Sequence, residues 1–347
     1  NQTLNGIRRI LITILVAMGV GALFIVAIGE NPIDAYAALF RGAFDGELRL
    51  GTTLAGFTPL LLTSIAFAVA AKAGAFNVGV EGEVFLGGIT AAYIGINWTF
   101  LPKPALYVAC FVGAMVVAAA WAFIPAVLRA YYNVNEVCTT ILMNTVALYI
   151  TSYLVSGPMS AGTANAQSLP VTVRLYQFMK PSSVNVGIFI AAITVIVIIF
   201  MLQKSSWGYK IRTVGLNPTH ADYVGIDSKK VFVGAMMLSG MLGGMAGCIE
   251  VLGVHGYFLN NFATGLGSNG MLAALIVKNN MFATPFMAFF LAVLKSGAMG
   301  MQQSTGVPKS LVDTITAVFI IIATMETAFQ FTKKRKKKTE EKKEDKA

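Results

Sequence analysis

AFNVGVEGEVFLGG, Ala75 to Gly88, sets two carboxylates, Glu81 and Glu83, and four glycines inside one of the most apolar parts of the chain. A helix crossing lipid has little use for either residue type, so this stretch is either a surface loop or a break in a membrane segment. Non-helical backbone at membrane depth survives only where protein buries it or a wet cavity borders it. Glycine permits the break, and an intramembrane carboxylate is costly enough to point to function.

The surroundings favour the membrane. The chain has 347 residues, 56% hydrophobic and 12% charged, with a mean hydropathy of +0.70. A soluble domain is about a quarter charged. Apolar runs of roughly 20 residues, the length that crosses a bilayer, recur from end to end and lack the polar face of a soluble helix. The class expected is an all-α polytopic membrane protein. Continuous apolar runs also argue against a membrane β-barrel, whose strands alternate. Arg8 and Arg9 precede an apolar run too long for a cleavable signal.

Ten membrane segments are predicted, near 10–29, 52–71, 80–96, 105–126, 136–156, 184–202, 231–252, 266–278, 281–299 and 309–330. The third is glycine-rich and the eighth is short. Ten spans with both termini cytoplasmic put 19 of the 26 Lys and Arg residues inside, as the positive-inside rule requires. Residues 1–330 then form one transmembrane domain. Residues 331–347 form a disordered cytoplasmic tail with nine basic and four acidic residues, half of the net charge of +10. Such a tail lies against anionic headgroups, and no nucleic-acid partner is expected.

Segments two and three, from Ser64, and seven and eight, from Gly243, each pair a small-residue helix with a Gly/Asn-rich break and a short helix. Five spans apart, they would be inverted relative to one another, a design recurrent in transporters. Small residues also favour close helix packing anywhere in a membrane.

Catalytic signatures are absent from the sequence: no Walker A loop, HExxH, GxSxG or paired-cysteine metal site occurs. Gly265–Gly270, GLGSNG, matches GxGxxG but lacks any βαβ context. Cys110, Cys138 and Cys248 read as small hydrophobes. No cofactor or metal is expected in this chain.

Beside the first break, Phe76, Asn77 and Glu81 offer a ring, an amide and a carboxylate to a solute, whereas Glu83 reads as a helix cap or surface residue. The second break, HGYFLNNFATGLGSN (His255–Asn269), holds aromatics and amides without charge, which suits a neutral, ring-shaped polar solute. His255, Asn260, Asn261 and Asn269 are its candidates. Asn144, in the fifth segment, is either a solute contact or interhelical glue.

The loop 203–230 carries helix punctuation: Asn217 caps, Pro218 occupies the first turn and Gly225 closes about seven residues later. A short helix on the inner face is what a membrane subunit offers to a motor.

At this loop, GYKIRTVGLNPTHADYVGID, and at FNVGVEGEVFLGG, the chain resembles the permease subunits of bacterial ABC importers of the branched-chain amino acid/ribose/nucleoside class, closest to the nucleoside and simple-sugar branch. The resemblance runs from about Leu11 to Thr327. It implies a coupling segment near 208–227, in which Arg212, Gly215, Asn217, Pro218, Ala221, Asp222 and Gly225 serve a separate ATP-binding subunit that uses the ATP. It implies a second permease subunit, either identical or a homologous different chain, and an extracellular lipid-anchored solute-binding protein. It further implies a nucleoside substrate, with a ribose-type sugar as alternative, and residence in the bacterial cytoplasmic membrane. An ion-coupled secondary transporter would account for interrupted helices without any partner. A membrane scaffold would leave no cavity between them.

Overall fold

The computed structural model describes residues 18–306 apart from Ile28, with Ser310, Asp313, Thr314 and Ala317. The expected tail and most of the tenth segment lie outside the described residues. The described chain is helical, and its few extended contacts are isolated bridges.

Two compact units divide it: Asp45–Val293, and Asn1–Phe44 with Leu294–Ala347. In the latter, α1 (Met18–Ala27) and α2 (Pro32–Phe44) meet at a 116° bend. Ile25, Ala35, Leu39, Ala298 and Met301 form a small core there, and the Tyr36 hydroxyl donates to the Met18 carbonyl at 2.6 Å. Helix α2 lies in the stretch between the first two predicted segments, 10–29 and 52–71, where no helix is expected. Its apolar positions were hidden by the charges around them.

The larger unit contains α3 (Gly46–Lys72), α4 (Val80–Asn97), α5 (Lys103–Tyr132), α6 (Glu136–Ser156), α7 (Gly187–Lys204), α8 (Ser206–Leu216), α9 (Pro218–Tyr223), α10 (Ser228–Ile249) and α11 (Leu266–Ile276). Helix α12 (Thr284–Thr305) contains the division between units. Among the described residues six helices are long and apolar enough to cross a membrane, or seven if α1 and α2 make one bent span. Helix α11, with 11 residues, rises only about 17 Å at 1.5 Å per residue.

Helix α10 is the hub, packed on α3, α4 and α5. Its small residues allow that approach: a β-carbon on Gly247 would collide with the Val84 carbonyl of α4, and one on Gly244 would stand 2.5 Å from the Ala114 carbonyl of α5. Of the most apolar windows, 78% is buried in α3 and 72% in the α10 region, against 17% in α6 and 28% in α7. The interrupted segments therefore form the interior, and α6 and α7 form the outside.

Candidate functional site: two interrupted helices

The first break runs from the end of α3 to the start of α4. Gly74, at φ +80°, turns the chain out of α3, and amide side chains then replace the lost ladder. The Asn77 Oδ1 accepts from the Gly79 N–H at 2.9 Å. Its Nδ2 donates to Glu83 Oε1 and to Ser239 Oγ of α10, each at 2.9 Å. From α6, Asn144 Nδ2 donates to the Val78 carbonyl at 2.9 Å and its Oδ1 accepts from the Gly82 N–H at 2.8 Å. Asn144 thus caps α4 from another helix, satisfying an orphan donor of its first turn. Both amides are committed to the break's own backbone and neighbours. Phe76 packs edge-on against Phe67, with centroids 5.0 Å apart.

The two carboxylates take opposite faces of α4, because positions two apart on a helix are separated by about 200°. Glu81 is half-buried and accepts from Ser268 Oγ of α11 at 3.2 Å. Gly267 lies against its backbone, where a β-carbon would stand 2.5 Å from the Glu81 nitrogen. Glu83 overturns the expectation of a cap or surface residue. It is 1% exposed, and its Oε2 has no hydrogen-bond partner among the described residues. It faces α10 because Gly243 leaves the space: a β-carbon there would be 2.9 Å from the same Oε2.

The second break begins where α10 widens into a π-helical turn, Glu250–His255, and ends in Gly256 at φ +78°. Such turns are frequent at functional sites. His255 Nε2 stands 3.6 Å from Glu250 Oε2, and its ring packs on Phe262 at 5.8 Å. Phe262 also meets Phe258 at 5.2 Å and Phe85 of α4 at 5.7 Å. Asn260 Nδ2 donates to Ser152 Oγ at 3.2 Å, while its Oδ1 is buried without a partner among the described residues. Asn261 is exposed at φ +64°. The Asn269 amide donates to the Gly265 carbonyl, so it holds the start of α11.

Sequence reasoning missed what closes this break. The segment 166–177 runs along it as a strap. Backbone N–H groups of Ser168, Val171 and Leu175 donate at 2.9 Å to the carbonyls of Phe258, Gly256 and Leu252. Gln177 Nε2 donates to the Gly253 carbonyl at 2.8 Å. The Arg174 guanidinium reaches the Val254 and His255 carbonyls at 3.4 and 3.3 Å. The signal was present: Val171, Val173 and Leu175 are buried and alternate with Thr172 and Arg174, the period of an extended segment.

The two breaks meet, through Phe85 and Phe262 and through Glu81 and Ser268. Helix α3 packs on α11, and α10 on α4.

The expected helix of the 203–230 loop is α9. Asn217 Oδ1 accepts from the His220 N–H at 3.0 Å, Pro218 opens the helix, and Gly225 follows it at φ +80°. Ala221 is fully buried. The Asp222 carboxylate is taken up by Ser228 N–H and Oγ, each at 3.0 Å, which fastens α9 to α10. Gly215 lies against Lys72 and 3.6 Å, measured from a β-carbon on Gly74, from that residue; α8 therefore rests on the entrance to the first break. Leu216 and Tyr223, each 87% exposed, project from this pair of helices.

Apolar helices around two buried interruptions define a multi-pass membrane protein. Residues 49–324 match the family described as "Branched-chain amino acid transport system / permease component". The chain is 32% identical to the guanosine ABC transporter permease protein NupP of Bacillus subtilis, over 94% of this chain and 96% of that protein. It is 32% identical to the glucose ABC transporter permease protein TsgB13 of Haloferax volcanii, over 89% and 85%. It is 30% identical to the nucleoside ABC transporter permease protein NupB of Lactococcus lactis, over 91% of each. This chain belongs to that permease family and is an ABC transporter permease of its nucleoside/sugar branch.

Proposed function

We propose that this permease carries nucleosides across a bacterial cytoplasmic membrane by ATP-driven alternating access. The observation that supports it most is full-length similarity to two relatives named for guanosine and nucleoside transport. The ring-lined, uncharged-amide character of His255–Asn269 agrees with a solute that stacks and hydrogen-bonds. The glucose permease, equally similar, favours a second reading in which the solute is a simple sugar.

In this reading, Phe76, Glu81, His255, Asn260 and Asn261 border the solute path where the breaks meet. Ten spans place both termini inside, with α3–α4 and α10–α11 as inverted copies. A separate ATP-binding subunit grips Leu216 and Tyr223. Its closure moves α8 against Lys72 and so reaches the first break directly. A homologous second permease and a lipid-anchored binding protein complete the importer.

The test is uptake by the assembled complex in proteoliposomes, with guanosine, uridine, ribose and glucose as competing solutes. Nucleoside uptake that glucose does not inhibit is expected; the reverse ranking establishes the sugar reading. Uptake that persists without the ATP-binding subunit would refute the ABC mechanism. Leu216→Asp with Tyr223→Asp should abolish capture of that subunit while leaving the detergent melting temperature unchanged.

A further inference from the structure

At the end of the bundle where α8 lies, a cavity of about 460 Å³ opens between the ends of α3 and α7, the side of α8 and the turn joining α11 to α12. Three cations from three separate elements line it: Lys72, Arg212 and Lys278. No carboxylate lines it, and none of the three has an ion pair among the described residues. Lys278 is held there by an unusual turn, in which it and Asn279 are both left-handed, at φ +56° and +55°. Lysine seldom adopts that conformation. Asn280, which also lines the cavity, uses its Oδ1 to accept from the Phe282 N–H at 3.0 Å. Phe282, 58% exposed, supplies an apolar wall.

The helix ends do not neutralise this charge. C-termini of α3, α7 and α11 border the cavity, and each contributes about half a negative charge. Against three cations, roughly +1.5 remains, a net positive charge that holds the single negative charge of a phosphodiester headgroup. An apolar wall beside three cations at the end of the apolar helix α7 suits an anion attached to a hydrocarbon. We infer that this cavity binds a phosphate-ester anion, presented by the headgroup of an anionic phospholipid. The occupant bridges α8, the first break and the α11–α12 turn.

The experiment compares melting of the full chain in nanodiscs of phosphatidylcholine, of phosphatidylglycerol, and of phosphatidylcholine with added inorganic phosphate. Phosphatidylglycerol should raise the melting temperature by roughly 2–4 °C, and Lys72→Gln with Lys278→Gln should remove that rise. Lys204→Gln with Lys210→Gln, two exposed cations beyond the cavity, should keep it. The lysine-rich tail attracts anionic lipid equally in every variant, so the difference isolates the cavity. Should the double variant fail to fold, Lys278→Gln alone is measured and should lose part of the rise. A rise given by inorganic phosphate alone, and lost in the same variants, supports the phosphate site with a soluble source. Equal melting in all three environments, or equal loss in the control pair, overturns the site. Variants that keep the lipid response but lose the ATP-binding subunit would assign the cavity to that subunit and overturn the lipid.

Discussion

The two breaks solve the same physical problem by different means. Both leave backbone groups unpaired inside a helical bundle. At the first, two asparagine side chains stand in for the ladder, Asn77 from the break itself and Asn144 from α6, and a buried carboxyl, Glu83, is drawn into the network. At the second, a distant backbone segment lies down beside the π-helical turn and donates to its carbonyls. Side-chain closure concentrates the load on a few atoms in a water-poor interior, where an unpaired polar group is costly. Strap closure spreads it over many replaceable bonds.

The comparison can be broken by substitution. The largest effect is expected for Asn77→Leu, which leaves the Glu83 carboxyl and the Gly79 N–H without partners; about 3 kcal/mol of stability should be lost in chemical denaturation. Adding Glu83→Leu should recover part of it, because removing both members of a buried polar pair costs less than removing one. Asn144→Leu strands the Val78 carbonyl and the Gly82 N–H and should cost about 2 kcal/mol by the same measurement.

Arg174→Ala should cost about 1 kcal/mol or less, since the strap's backbone bonds to Leu252, Gly256 and Phe258 remain. Hydrogen exchange should nevertheless show faster exchange confined to 251–258. A loss as large as that of Asn77→Leu would erase the distinction between the breaks.

Smallest are the caps outside the bundle. Asn217→Ala should cost about 1 kcal/mol and loosen α9 alone. At the N-terminus of α10, hydrogen bonds from the Lys230 N–H and then from its ammonium hold the Asp227 carboxyl below its ordinary value. A lowered folded value means that the stabilisation is complete above about pH 4 and fades as pH falls through the folded value. Asp227→Asn should remove the acid-dependent part of the protection factor, the exchange rate corrected for intrinsic pH dependence, at the Lys230 N–H in that window.

Much of the larger unit was legible along the chain. Apolar runs located α3 to α7 and α10, glycines located both breaks, and Asn217-Pro218 with Gly225 located α9. Glu83 was misjudged because the residue that makes room to bury it, Gly243, lies far along the chain on α10 and not among the glycines beside it. The strap's alternation was present but obscured among polar residues between two apolar runs. Helix α2 was missed for a related reason: Asp34 and Arg41 disguised a short amphipathic helix as a loop.

Composition and periodicity alone determined the membrane class, the helical elements and the points where two of them fail, because lipid demands long apolar runs and a helix tolerates few glycines. Only tertiary structure decided which groups repair those failures. An orphan carbonyl accepts from any donor within about 3 Å, and whether that donor is Asn144, 66 residues away, or the strap near Arg174 depends on how the bundle closes. That choice of partners sets which break is fastened by side chains and which by backbone.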